Sequence, residues 1–176
     1  MTQKSILLFI MMALWLGCGG SKGDAVEETK GITEDSMMLA NGYTALDLHK
    51  IQTGHITVWM NVNGKPCVFL VDTGGGATLI DKNRRRKYGL ETTQTANYAT
   101  GIGSVESLVA TKATFQVNGI DIDVDYLYLM DIAYINKEFR KSHASQVDGV
   151  LGTDFLDRHA AVIDYGREKM YLRAHP

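Results

Sequence analysis

Cysteine, charge imbalance and long apolar runs are all scarce in this chain. The 176 residues hold two cysteines, Cys18 and Cys67, and a formal net charge of −2. So small a charge, negative in sign, argues against nucleic-acid binding as the main task. With Cys18 placed outside the folded part (below), Cys67 has no internal disulfide partner and reads as a buried core thiol with no base near it in sequence. The five histidines, at 49, 55, 143, 159 and 175, show no ligand spacing, so neither a metal nor a cofactor is expected. The longest apolar run, Ile6–Leu16, is too short to span a bilayer as a mature helix.

That run follows Lys4 and precedes Gly17-Cys18-Gly19-Gly20-Ser21, the order of a positive n-region, an apolar core and a small-residue cleavage site. Residues 1–17 therefore read as a signal peptide. The cysteine after a small residue resembles a bacterial lipobox, with Trp15 where leucine is usual. The resemblance implies that Cys18 is lipidated and becomes the first mature residue. Gly19, where aspartate would favour inner-membrane retention, leans towards the outer membrane, with the domain in the cell envelope facing the periplasm. Residues 18–42 are small and charged without periodicity, and read as a lipidated flexible tether with a reach of roughly 25–30 Å. What remains, 43–176, is enough for one domain but not for two lobes, each with its own core.

That remainder is a succession of short strands. Ile56, Val58, Met60 and Val62 alternate with Thr57, Trp59 and Asn61, and Asn63-Gly64 fits a two-residue type I′ turn into the apolar run Cys67–Val71, with Pro66 at its start. Ala77–Ile80 reads as a strand, Asp81 as the cap of a short helix over 82–88, and Gly89 as its stop. Arg84–Lys87 on that helix is expected to be a solvated face. Glycines 101 and 103 suggest a hairpin tip, and Asn118-Gly119 a second tight turn. The stretch 131–146 reads as partly helical. Val147–Gly152 gives a strand, Thr153 can cap a helical turn, and 161–172 closes as a hairpin. This pattern predicts a mainly β fold, closed or nearly closed, with one or two short helices.

The functional signal is Asp72-Thr73-Gly74 at the end of the apolar run, a carboxylate at the tip of a buried strand. Such a group is costly there without a partner or a task. Gly74 to Gly76 let backbone N–H groups approach it. A facing carboxylate would make an acid/base dyad, and the chain contains no second Asp-Thr-Gly or Asp-Ser-Gly, so the second must come from another copy.

Asp72-Thr73-Gly74 with Thr78, the hairpin at Gly101 and Gly103, and Asp148-Gly149-Val150-Leu151-Gly152-Thr153-Asp154-Phe155-Leu156 together resemble a single-lobe, bacterial, retropepsin-like aspartyl protease, over about 53–173. The resemblance implies a closed β-barrel and an aspartic endopeptidase acting on peptides as a homodimer. Asp72 would be the catalytic residue, Thr73 and Gly74 its support, and Gly101, Ile102 and Gly103 the substrate-binding flap. Val150–Gly152 would pack behind the catalytic loop. Gly75 departs from the usual alanine or serine. Asp148, Asp154 and Asp164 read as turn or cap residues. Two other classes share features of the chain. The glycine-rich loop also looks like the phosphate loop of actin-like ATPases, whose two large halves this length excludes. The fold could also serve a non-catalytic lipoprotein as a peptide-binding or assembly module.

Overall fold

A computed structural model describes residues 33–100, 103–111, 113–124 and 127–175, with backbone pairing alone for 93–100, 103–108, 110 and 111. The chain divides into two units, Met1–Gly31 and Ile32–Pro176, and every described residue belongs to the second. Its elements are α1 (Glu34–Ala40), β1 (Tyr43–Asp47), β2 (His49–Lys50), β3 (Ile56–Val62), β4 (Lys65–Val71), β5 (Leu79–Asp81), a 3₁₀ turn at Lys82–Arg84 running into α2 (Arg85–Tyr88), β6 (Glu91–Thr100), β7 (Gly103–Thr111), β8 (Phe115–Val117), β9 (Ile120–Ile122), β10 (Leu127–Met130), α3 (Ala133–Lys141), β11 (Gly149–Leu151), α4 (Thr153–Arg158), β12 (Val162–Asp164) and β13 (Lys169–Arg173).

The fold is mainly β. One sheet runs β6-β7-β10-β5-β11-β4-β3-β8-β9, with β2 on β3, and curls into a half-barrel; a smaller sheet runs β1-β13-β12. Among the described residues no pairing joins β6 to β9, so the large sheet is curled but not closed by hydrogen bonds. Both Asn-Gly turns form as their chemistry dictates: Asn63 and Gly64 have φ of 50° and 74°, Asn118 and Gly119 of 51° and 80°. Positive φ at both central residues is what type I′ requires.

The most consequential pairing is that of β11. It runs parallel to β4 (Gly149↔Phe69 to Leu151↔Val71) and antiparallel to β5 (Gly149↔Ile80, Val150↔Leu79). The two strands flanking the Asp72 loop are thus joined through a third that comes some seventy residues later. Two glycines make this possible. A Cβ on Gly149 would lie 2.4 Å from the Leu79 carbonyl oxygen and 2.7 Å from the Phe69 ring, and one on Gly152 2.5 Å from the Ala77 carbonyl.

Side chains alternate across these strands. Cys67 and Phe69 of β4, Ile80 of β5 and Leu151 of β11 enter one core with Val58, Met60 and Phe115. Leu70, Leu79 and Val150 enter a second, with Ile132 and Phe139 at and on α3. Burial on both faces explains why Cys67–Val71 is apolar without interruption. Asn136 of α3, itself buried, accepts from Val147 N and donates to Val147 O, both at 2.9 Å, and so fixes the lead into β11.

Asp81 caps the 3₁₀ turn through Asn83 N, and Gly89 ends α2 at φ 60°. The expected solvated face is only partly so. Arg84 and Lys87 lie 2.8 and 3.2 Å from the buried Asp148 carboxylate, which also accepts from Val68 N. Asp148 is therefore an ion-pair hub tying α2 to β4 and β11, not a turn or cap residue. A charge that buried needs such partners. Asp164 does serve its turn, accepting from Arg167 N and Nη1. Three strands, β1, β2 and β10, have no counterpart in the sequence reading. The helix α1 falls within the stretch read as tether: Thr33 caps it, Glu34 pairs with Arg167, and Asp35 accepts from the buried Tyr171 hydroxyl, a bond that pushes Tyr171 up to about 12.

Cys67 is fully buried, and burial pushes its thiol up to about 12. At pH 8 the native protein is expected to leave Cys67 unmodified by a thiol-reactive dye that labels it completely after denaturation, since the thiolate is the reacting form. Labelling of Cys67 in the native state at a comparable rate would contradict this.

Candidate active site

The loop from Asp72 to Thr78 leaves β4, crosses the end of β11 and re-enters the sheet as β5. Asp72 N donates to Leu151 O at 3.0 Å, so the residue stays in line with β4 to its last atom. Its side chain is half-buried, and Oδ1 accepts from Gly74 N at 2.9 Å. Gly75 N turns back to Asp72 O at 3.2 Å. The carboxylate is thus cradled by its own loop with one oxygen bonded to backbone, while Thr73, Gly74 and Gly76 are exposed. A group that is held, partly dry and still reachable suits proton transfer.

The glycines set how closely the loop wraps. A Cβ at Gly75 would sit 3.0 Å from Asp72 Oδ2 and 3.2 Å from Cγ, and one at Gly74 3.4 Å from Oδ1. The departure at position 75 therefore has a local reason: this wrap leaves room for hydrogen and little else, and an alanine there would push the carboxylate by a few tenths of an ångström.

A second set of bonds locks the far side of the loop. Thr78, 1% exposed, donates from N and Oγ1 to the two oxygens of Asp154 at 2.9 and 2.7 Å, and its Oγ1 accepts from Gly152 N at 3.1 Å. Asp154 Oδ1 also accepts from its own helix at Phe155 N. Asp154, expected as a turn or cap residue, instead lies in the first turn of α4, whose N-cap carries no side-chain bond, and serves as a clamp across the loop. Thr153 does not cap α4, whose N-cap is Gly152. Instead its N and Oγ1 both donate to Gly75 O, at 2.7 and 3.1 Å. As expected, Val150–Gly152 packs behind the loop. Neither clamp was assigned from the sequence, although Thr78 and Asp154 both stand in the motifs quoted above.

Beside the loop, Thr73, Gly76, Thr153, Asp154, Ala161 and Ile163 line an open cavity of about 580 Å³. The hairpin of β6 and β7 closes through Thr100↔Gly103, so Gly103 opens β7; Gly101 and Ile102 lie outside the described residues, as does Cys18. Among the described residues no group of three or more histidine, cysteine, aspartate or glutamate side chains could hold a metal.

A family described as aspartyl protease matches residues 58–155, from β3 through the Asp72 loop into α4. The chain belongs to the aspartyl protease family. The aspartyl protease match contains both halves of the loop clamp, Asp72 to Thr78 and Gly149 to Asp154. Among solved structures the chain is similar to a retropepsin-like aspartic protease from Rickettsia conorii, 18% identical over 74% of this chain and 89% of that one with a TM-score of 0.45. It is similar also to the retroviral protease-like domain of Ddi1 from Leishmania major, 17% identical over 67% of this chain and 87% of that one with a TM-score of 0.46. No curated protein matches the chain.

Thr78→Val keeps shape but strips the hydroxyl, leaving Gly152 N without an acceptor. In urea unfolding it is expected to cost about 1–3 kcal/mol, the penalty of an unsatisfied buried donor. Asp154→Ala should fall in the same range and Gly152→Ala well above it. A Thr78→Val variant as stable as the wild type would show that the clamp does not hold the loop.

Proposed function

We propose that this aspartyl protease family member is an endopeptidase working as a homodimer, with Asp72 of each copy forming the catalytic dyad. The observation that carries the reading is the Asp72 loop itself. It holds one carboxylate by Gly74 N at an exposed turn, in a chain with no second Asp-Thr-Gly to complete a dyad. Two carboxylates about 3 Å apart cannot both ionise, so the pair shares one proton. The ionised Asp72 takes a proton from a water, which attacks the peptide carbonyl as the protonated Asp72 of the second copy polarises it. The tetrahedral intermediate then collapses as a carboxyl proton passes to the leaving amine. Oδ1 stays oriented by Gly74 N throughout, and Thr73 is available to bond across the two-fold axis. Gly101-Ile102-Gly103 would close on the peptide as a flap.

The meeting surface we assign is the side of the loop that carries β12. This strand is the outer member of the small sheet, Val162 is 42% exposed, and the neighbouring Ala161 and Ile163 share a cavity with Thr73. A self-complementary patch around a two-fold axis fits those features. For location we propose a lipid anchor at Cys18 and residence in the bacterial envelope, on the strength of the leader sequence.

Asp72→Asn keeps the shape of the side chain and can neither take nor give the proton. Cleavage of a peptide library at pH 4 to 7 is expected to fall by about 10³-fold or more, with folding and dimerisation intact. Equal cleavage by both proteins would remove Asp72 from the mechanism, and a strict monomer by analytical ultracentrifugation at high concentration, with or without a transition-state-mimicking peptide, would remove the dimer. Cys18→Ser is expected to leave the precursor uncleaved or free it from membranes, and intact mass of the wild type to show an acylated cysteine at the mature end. An unmodified Cys18 in that measurement would refute the anchor.

A further inference from the structure

Away from the Asp72 loop, large apolar side chains gather at one face of the domain instead of lying singly. Trp59, 56% exposed on β3, and Leu39, 55% exposed near the end of α1, both line a groove of about 640 Å³. The turn residues Asn118 and Gly119 line it too, and the exposed Ile120 follows them directly in the chain. The groove shares no lining residue with the cavity beside Thr73.

The helix that brings Leu39 here is turned against the usual rule. Glu34 pairs with Arg167 and Asp35 accepts from the buried Tyr171 hydroxyl, so α1 is fastened to β13 and the turn before it by its carboxylates. None of its residues is buried, and Met37 and Leu39 are left exposed. A helix meant only for water would dock by its apolar side chains and expose its charges. Trp59 is likewise set outward, between the core residues Val58 and Met60. Its ring offers an apolar body with an N–H edge, the form that suits a boundary between hydrocarbon and water. Around it the lining is polar: Asn61, Gln116, Asn118 and the ion pair of Lys169 with Asp47.

What covers this face follows from the chain that leads to it. Only residues 19–33 lie between Cys18 and α1. Read as a flexible tether, such a stretch keeps its ends about 20 Å apart, and full extension gives no more than about 55 Å. With Cys18 in the lipid, α1 is the part of the domain held nearest to it. We infer that the face formed by Leu39, Trp59 and Ile120 seats on the bilayer that holds the anchor, with its apolar side chains at the boundary of headgroups and acyl chains and its polar lining among the headgroups. A few apolar side chains too weak to bind a membrane alone suffice here, because the anchor keeps them at high local concentration beside it. The tethered domain is thereby fixed in one orientation, and the cavity beside Thr73, built from other residues, is not occupied by the docking. This inference rests on the anchor proposed at Cys18 and is independent of the protease reading.

The test uses the full chain carrying Trp15→Leu, which supplies the leucine usual in a lipobox and leaves Trp59 as the only tryptophan. The protein is purified from membranes and reconstituted in vesicles of phosphatidylethanolamine and phosphatidylglycerol. Its Trp59 emission is expected to fall by about half or more when the acyl chains are brominated near the headgroup, the depth that interfacial side chains reach. Leu39→Glu combined with Ile120→Glu is expected to remove most of that quenching and to keep the melting temperature within about 2 °C, both side chains being exposed. Trp59 open to aqueous acrylamide and unquenched by brominated lipid, in an acylated protein, would overturn the docking and leave the anchor standing. Trp59 shielded from both quenchers would mean that a second copy or another protein covers the face, and would overturn it equally. Quenching undiminished in the Leu39→Glu, Ile120→Glu variant would place the membrane contact elsewhere and refute this surface. Intact mass of the same sample reads the anchor separately: an unmodified Cys18 would withdraw the anchor and this inference with it.

Discussion

The whole site depends on the three-residue strand β11 lying between β4 and β5. A loop from one strand to the next is ordinarily a surface turn whose ends are paired directly to each other. Here the ends are held apart by a strand's width and each is hydrogen-bonded to the intruder. Asp72 then receives its backbone direction from Leu151 O, Gly75 from Thr153, and Thr78 from Gly152 and Asp154. The carboxylate is oriented through main-chain bonds at both ends of its loop, which is how a half-exposed side chain can be kept in one place.

Because the intruding strand must come so close, residue size is dictated at several points at once. Gly149 and Gly152 admit backbone and ring contacts that no side chain would allow, and Gly75 lets the loop fold over the carboxylate. Around them the polar demands are met locally. Asp148 gathers Arg84, Lys87 and Val68 N just before β11 begins, and Asn136 binds both backbone groups of Val147. The strand is thus fastened before it enters the sheet and again as it leaves into α4.

Features that depend on neighbours in sequence were legible without coordinates. The Asn-Gly turns, the Asp81 cap with its Gly89 stop, the inert Cys67 and the alternation of β3 all follow from short-range chemistry. The Asp72 loop could be recognised from its residues and from resemblance, together with the segment that packs behind it. What could not be read was where side chains go once distant segments meet. Asp148 looks like a turn residue until α2 places two cations beside it. Thr153 looks like a helix cap until Gly75 O lies within reach. The strand β1 exists because β13, at the other end of the chain, supplies its partner.

The position of β11 also orders events in time. Asp72 is synthesised long before Gly149–Leu151, yet nothing local can stand in for that strand. While the chain emerges, residues 72–78 have neither the Leu151 acceptor nor the Asp154 carboxylate, and closing a loop of that length is slow compared with forming the Asn-Gly hairpins. The Asp72 carboxylate is consequently among the last groups to be seated. A nascent or truncated chain ending before β11 carries the Asp-Thr-Gly sequence but not its geometry, which arrives only with about the last sixth of the polypeptide.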